Sequence, residues 1–324
     1  MRLNKNIVVF FGCLISFLSI AHSQSIANYP DKQIKIIVSF TAGGTTDILA
    51  REVANQMSIR WKVPVIVENK PGASGNMGTE IVGRATPDGY TLLANSIGPI
   101  SINPTLFGNL TVNPQTALQP VALLGDVPNI LVVPTTIGVK NWKEFLAYVK
   151  AHSGNINYGS TGIGTTSHLI SFLFSQKTGI DASHIPYKGA EATRDLIAGR
   201  LQFMFATAPS VIPLIKAGQL NAIAVSSKKR ISAMPDLPTL NELGVDIATG
   251  AWFGLFAPAG TNPAIVKKLN ETVVSILEEP AIRNKLLSLG ADPILMNVQE
   301  FTKFVRNDFA LWAPIVKASG AKPE

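Results

Sequence analysis

Two stretches of this 324-residue chain carry residue types suited to gripping an anion. Ala42-Gly43-Gly44-Thr45-Thr46-Asp47 follows one apolar run, and Ser160-Thr161-Gly162-Ile163-Gly164-Thr165-Thr166 follows another. Adjacent glycines permit backbone angles that other residues resist. A helix opening after such a turn leaves N–H groups unpaired, and its dipole favours negative charge there. Neither GxGxxG nor GxxxxGK is present, so the pattern points away from phosphate loops and toward a carboxylate or another small anion. A plain βα junction could use the same residues, and the turns alone leave both readings open.

Covalent and metal chemistry find less support. GxSxG is absent, and Gly72-Ala73-Ser74-Gly75 has small residues at the wrong spacing. The four histidines, at 22, 152, 168 and 184, form no HxxxH or HExxH pair, and the single cysteine is Cys13. A metal site is therefore not expected, nor is a cofactor. Asp47 and Glu68 are the acidic residues nearest the loops. Capping accounts for Asp47, and no pair of carboxylates stands out for glycoside chemistry. His152 reads as a surface residue; His168, in the first turns of a helix, reads as bonding a neighbouring loop or facing a cleft. Binding without catalysis is the expectation.

The elements that must hold these turns are βα units. Ile34–Val38 reads as a buried strand, and the helix after it places Leu49, Val53 and Met57 at steps of four, with Thr45, Thr46 and Asp47 offered as caps. Further strands are expected at Val65–Val67, Tyr90–Ala94, Gln119–Leu124, Ile130–Val133, Asn155–Tyr158, His184–Tyr187, Leu201–Phe205, Leu220–Val225 and Trp252–Ala257. Gly125-Asp126-Val127-Pro128 reads as an interruption. Helices are expected at Thr79–Ala85, Trp142–Ala151, Thr165–Lys177, Ala190–Ala198, Ser210–Ala217, Ala264–Leu277, Ala281–Leu289 and Val298–Lys317. Strands every 20–35 residues with helices between them argue a doubly wound α/β architecture. There are too many units for one compact sheet, so two α/β domains around a cleft are expected. Residues 29–127 and 252–324 would form domain 1, and residues 128–251 domain 2.

Residues 1–23 read as an export signal: Arg2 and Lys5, an apolar Ile7–Ile20, then Ala21-His22-Ser23 at signal-peptidase spacing. Cys13 lies inside that segment. The formal charge of +7 falls to about +5 without Arg2 and Lys5, and only Lys228-Lys229-Arg230 clusters. That argues against a nucleic-acid partner and for a mildly basic surface around an anionic ligand.

Taken together, the motifs resemble the extracytoplasmic solute receptors of tripartite tricarboxylate transporters, the Bordetella uptake gene family. They are Tyr29-Pro30, IKIIVSFTAGGTTD at Ile34–Asp47, VIVENKPGASGNMG at Val65–Gly78, PDGYTLL at Pro87–Leu93, GSTGIGTTSHL at Gly159–Leu169, IPYKG at Ile185–Gly189 and WFGLFAPAGT at Trp252–Thr261. The match runs from about Tyr29 to Glu324. The resemblance implies a bilobed, monomeric periplasmic receptor that closes on a small organic carboxylate and delivers it to membrane permease subunits; a sensing subunit for a two-component system is the alternative. It places one carboxylate surface at Phe40, Thr41, Ala42, Gly43, Thr45, Thr46 and Asp47, and the other at Ser160, Thr161, Gly164, Thr165 and Thr166, with Ser96 on the same side. The two turns are expected on opposite walls of one cleft. Tyr187 and Lys188 lie in a family motif and read as either structural or ligand contacts. Where the family often has Phe-Asp, this chain has Phe205-Ala206, so Ala206 is expected at the specificity end. The missing carboxylate disfavours an amino-acid ligand relative to a di- or tricarboxylate or an aromatic acid. Ser39 and Thr41-Ala42 also stand where prolines are common.

Overall fold

The computed structural model describes residues 28–319 and Lys322; the expected export signal lies outside them. β1 (Ile34–Val38) buries every residue but Lys35, the continuous apolar character of a strand covered on both faces. After it come α1 (Thr45–Trp61), β2 (Val65–Asn69), α2 (Asn76–Gly83) and β3 (Thr91–Ser96). Two short helices, α3 (Asn103–Leu106) and α4 (Pro114–Ala117), lead into the 17-residue β4 (Leu118–Pro134). The middle of the chain holds α5 (Trp142–Ala151), β5 (Ile156–Ser160), α6 (Thr166–Thr178), β6 (Ala182–Pro186), α7 (Glu191–Ile197), β7 (Phe203–Thr207), α8 (Ala208–Lys216) and β8 (Leu220–Val225). β9 (Gly250–Pro258), α9 (Pro263–Glu278), α10 (Pro280–Ser288) and α11 (Val298–Ser319) follow.

The strands order as β2-β1-β3-β9-β4-β7-β5-β6, with β8 also paired to β4. β1 runs parallel to β2 and β3, and β5 parallel to β6 and β7. β4 is antiparallel to β9 over Leu118–Pro128, then to β7 and β8 from Asn129 onward. The chain is thus an α/β fold of two lobes, each with parallel strands whose carboxyl ends face the other. Ser226 ties the outgoing and returning segments: its hydroxyl accepts from the Asn129 amide and donates to Thr249 O. The second lobe has its own aromatic core, in which Phe145, Phe174, Phe203 and Phe205 pack together.

Two local expectations are corrected. The break at Gly125–Pro128 does not occur. β4 passes through it, absorbing the irregularity as register shifts at Pro120/Ala122 and Leu123/Gly125, as bulges do. Pro128 is the last residue paired with β9, a position where a missing N–H is tolerated. In α1, Thr45, Thr46 and Asp47 are the first helical residues rather than caps. The N-cap is Gly44, which makes no side-chain hydrogen bond. The first-turn N–H groups of α1 therefore stay uncapped.

Candidate functional site

A cavity of about 50 Å³ lies where the strand ends of the two lobes meet. One wall carries Phe40, Gly44, Thr45 and Thr46 from the β1–α1 turn, with Ser96 from the end of β3. Facing them are Thr161, Thr165 and Thr166 from the β5–α6 turn. The remainder comes from Gly189, Ala190 and Thr193 around the start of α7, Thr207 and Ser210 around the start of α8, and Ala251 and Phe253 from β9. None of these fifteen residues is charged. α1, α6 and α8 all begin at this cavity, so their positive ends give it an anion preference without a cationic side chain. β9 contributes Ala251 and Phe253 because alternate residues of a strand share a face; Trp252 points the other way and packs on Phe301 and Phe304.

Hydrogen-bond commitments sort the hydroxyls. Thr165 Oγ1 donates to Gly162 O at 2.7 Å and accepts weakly from the His168 amide at 3.5 Å, so its proton belongs to its own turn. The hydroxyls of Thr46, Ser96, Thr161, Thr166 and Thr193 make no hydrogen bond among the described residues. Thr45 Oγ1 and Thr207 Oγ1 lie 2.6 Å apart and bond each other across the cleft, and Thr207 Oγ1 is 3.3 Å from Ser210 Oγ. An uncommitted hydroxyl can donate to an anion; Thr165 can only accept.

The other expected residues support the turns from behind. Thr41 turns its hydroxyl to the Ala190 amide at 2.8 Å. Ala42 and Gly43 are exposed, and the Gly43 amide donates to Asp47 Oδ2 at 3.0 Å. Burial raises the Asp47 carboxyl, but hydrogen bonds from Arg51, Gly43 and Asn69 outweigh it and hold it below its ordinary range. Asp47 thus anchors the turn, and Asn69 Nδ2 also donates to Phe40 O at 2.9 Å. Gly75, at φ +88°, lets the Phe40 ring pack close: a Cβ there would lie 2.9 Å from Phe40 Cζ. Ser160 Oγ sits 2.6 Å from His184 Nε2, and the Gly164 amide donates to His168 Nδ1 at 3.2 Å. Ala206 is 1% exposed in β7, opposite Ile130, with its side chain in the core rather than the cavity. Tyr187 donates its hydroxyl to Asp195, and Lys188 is exposed. His152 is exposed as well.

Sequence reading named Gly189 and Phe253 only as parts of family motifs and Thr207 only as the neighbour of Ala206, and it gave no site role to Ala190, Thr193, Ser210 or Ala251. Gly189-Ala190 repeats the pattern of a glycine turn before a helix, which was the available signal. Thr207 and Ser210 flank a strand-to-helix junction in the same way. Ala251 and Phe253 carried no local signal. Among the described residues, no group of three His, Cys, Asp or Glu side chains could hold a metal ion.

Three comparisons bear on this geometry. The model of the tripartite tricarboxylate transporter family receptor matches residues 49–321. The protein BugT of Bordetella pertussis is 32% identical over 98% of both chains. Among solved structures, Rpa4515 of R. palustris with adipate is 33% identical, with a TM-score of 0.88 over 91% of this chain and 100% of that one. MatC of Rhodopseudomonas palustris with bound malate is 30% identical, with a TM-score of 0.82 over 89% of this chain and 100% of that one.

Proposed function

The chain belongs to the tripartite tricarboxylate transporter receptor family, and from that premise we propose that it captures a small organic carboxylate and delivers it to membrane permease subunits. The carrying observation is the cavity itself: uncommitted hydroxyls and three helix amino ends, with no charged side chain. Such a lining can solvate a carboxylate by neutral donors. No histidine or carboxylate lines it, and the ligand is read as bound and released unchanged. The adipate and malate held by two structural relatives support a carboxylate ligand; a di- or tricarboxylate, or an aromatic acid, is the class assigned. Thr45, Thr46, Ser96, Thr161 and Thr166 are the proposed ligand contacts, and Thr41, Asp47, Ser160 and Gly164 shape the turns.

In this reading residues 29–127 with 252–324 close against residues 128–251. The protein works as a monomer in the periplasm, exported by its N-terminal segment, and takes no cofactor. No helix of the described residues is long and apolar enough to cross a membrane, and a mobile carrier needs none. Isothermal titration against malate, adipate, citrate, benzoate and aspartate, with mass spectrometry of ligand released from gently purified protein, tests it. Saturable binding of an unmodified carboxylate is expected. A ligand without a carboxylate, or a chemically altered one, overturns the assignment.

A further inference from the structure

Behind the Ser160–Thr166 turn stand four stacked rings. Phe203 lies on Tyr158 at 5.5 Å, Tyr158 on His184 at 5.0 Å, and His184 on His168 at 4.1 Å, with interplanar angles of 24°, 21° and 15°. The two imidazoles at the end of this stack grip opposite ends of the turn. His184 Nε2 meets Ser160 Oγ at 2.6 Å, and His168 Nδ1 accepts the Gly164 amide hydrogen at 3.2 Å. Between those anchors lies Thr161, and just beyond them Thr165 and Thr166, which all line the cavity.

We propose that His168 and His184 are positioning residues, which hold the Ser160–Thr166 turn in its ligand-gripping form, His168 doing so only while its Nδ1 is unprotonated. This rests on the reading of the cavity as a carboxylate seat. The bond from Gly164 requires an unprotonated Nδ1 on His168; a proton there would set two donors face to face. A charge on both rings would put two cations 4.1 Å apart. No carboxylate is hydrogen-bonded or ion-paired to either ring among the described residues. The titratable groups packed here are His168 from α6, His184 from β6 and the Tyr158 phenol from β5, which burial pushes up to about 12 and so keeps neutral. Burial lowers His168 to about 4; burial, then the neighbouring His168, lowers His184 to about 3. The rings are neutral at neutral pH, and acid undoes the bond from Gly164 to His168.

Two arms test this on the full mature chain. In the first, the Gly164 amide and the histidine ring resonances are followed by NMR from pH 7.5 down to 4, without ligand. The Gly164 amide is expected to titrate with the His168 ring and to stay flat in His168→Asn. In the second, malate and adipate are titrated at pH 7.5 into wild type, His168→Phe, His184→Phe, His168→Asn and His184→Gln. Phenylalanine keeps the stack and removes the nitrogens, so affinity should fall about tenfold or more. The amide variants, which restore a polar partner, should recover most of it. Wild-type affinity in folded phenylalanine variants, or a Gly164 amide blind to His168 protonation, overturns the proposal. If a phenylalanine variant does not fold, the amide variants and the NMR titration decide. If wild type binds no carboxylate while Gly164 still follows His168, the positioning role stands and the carboxylate reading falls.

Discussion

Thr41 and Ala190 are joined across the cleft: the Ala190 amide donates to Thr41 Oγ1 at 2.8 Å, tying the turn after β1 to the start of α7. With the Thr45–Thr207 bond, this makes two hydrogen bonds between the β1–α1 turn and the segments at the starts of α7 and α8. Both bonds join the turns that line the cavity. Thr41→Val keeps the side-chain shape and removes one bond, a net loss of about 0.5–1.5 kcal/mol. The dissociation constant for the bound carboxylate should rise about two- to tenfold, measured by calorimetry. An unchanged constant would mean that closure does not depend on this bond.

Gly189 sits at φ +85° directly against Thr41. A Cβ there would lie 2.6 Å from Thr41 Oγ1, closer than real Cβ contacts come, and 3.1 Å from Thr41 N, tight enough that the backbone must give. Gly189→Ala should therefore hold the lobes apart. The liganded protein should show a larger radius of gyration by small-angle scattering than wild type, and affinity should fall about tenfold or more. The left-handed backbone costs alanine about 1–2 kcal/mol in any form of the protein, so a lower melting temperature alone is not the test.

Much of the first wall was readable because its signal is local: glycines and hydroxyls packed between a buried strand and an amphipathic helix. The same grammar marked the Ser160–Thr166 turn. What escaped depends on pairing between distant segments. Gly125 and Pro128 look like breakers, yet β9 holds β4 extended through both. Ala206 and Thr207 are adjacent, and which of them faces the cavity is set by register: Ala206 falls opposite Ile130 and Thr207 opposite Asn129. Nothing local to Ala251 or Phe253 reveals that β9 runs beneath the cavity.

The hydroxyl commitments predict a contrast between neighbours. Thr161 presents an uncommitted hydroxyl to the cavity, so Thr161→Val should lose a hydrogen bond to a charged group, about 1.5–3 kcal/mol. Its dissociation constant should rise by about one to two decades, with the melting temperature near wild type. Thr165→Val should behave in the opposite way, because its proton is already given to Gly162 O. Stability should fall by about 1 kcal/mol and affinity should move less. Equal affinity losses in the two variants would show that Thr165 also serves the ligand.

Acid should weaken the fold through the two histidines before it protonates Asp47. His168 and His184 are lowered by burial to about 4 and about 3, against an ordinary value near 6.5. Between those limits the unfolded chain binds more protons, so their contribution is complete above pH 6.5 and declines as pH falls. Each ring can remove up to about 1.4 kcal/mol per pH unit in that window. Asp47 is held below its ordinary range and loses its contribution only at lower pH. Asp126 and Asp308, raised by burial, gain protons on folding and act with the opposite sign. The histidine part is read as wild type minus His168→Phe in urea unfolding at pH 7.5, 6, 5.5 and 5. Parallel stability profiles for the two proteins would refute it.

The specificity end should respond at residue 207 rather than 206. Ala206 is buried between β4 and the core, so Ala206→Asp places a carboxylate where water cannot reach it. A carboxyl raised by about three pKa units in such a place costs about 4 kcal/mol at neutral pH, and this variant should lose stability rather than change its ligand preference. Thr207 faces the cavity, hydrogen-bonded to Thr45 and close to Ser210. A carboxylate introduced by Thr207→Asp would stand near any negative group held at that end, and like charges in a partly desolvated site repel. The variant should fold, lose malate and adipate affinity by at least tenfold, and lose less for a monocarboxylate such as benzoate. Melting curves at pH 7.5 separate the two substitutions, and titration with the three acids reads the preference. If Ala206→Asp is as stable as wild type and shifts ligand preference while Thr207→Asp does not, the specificity end is misplaced by one residue, and the strand register at Asn129 and Ile130 must differ in the ligand-bound protein.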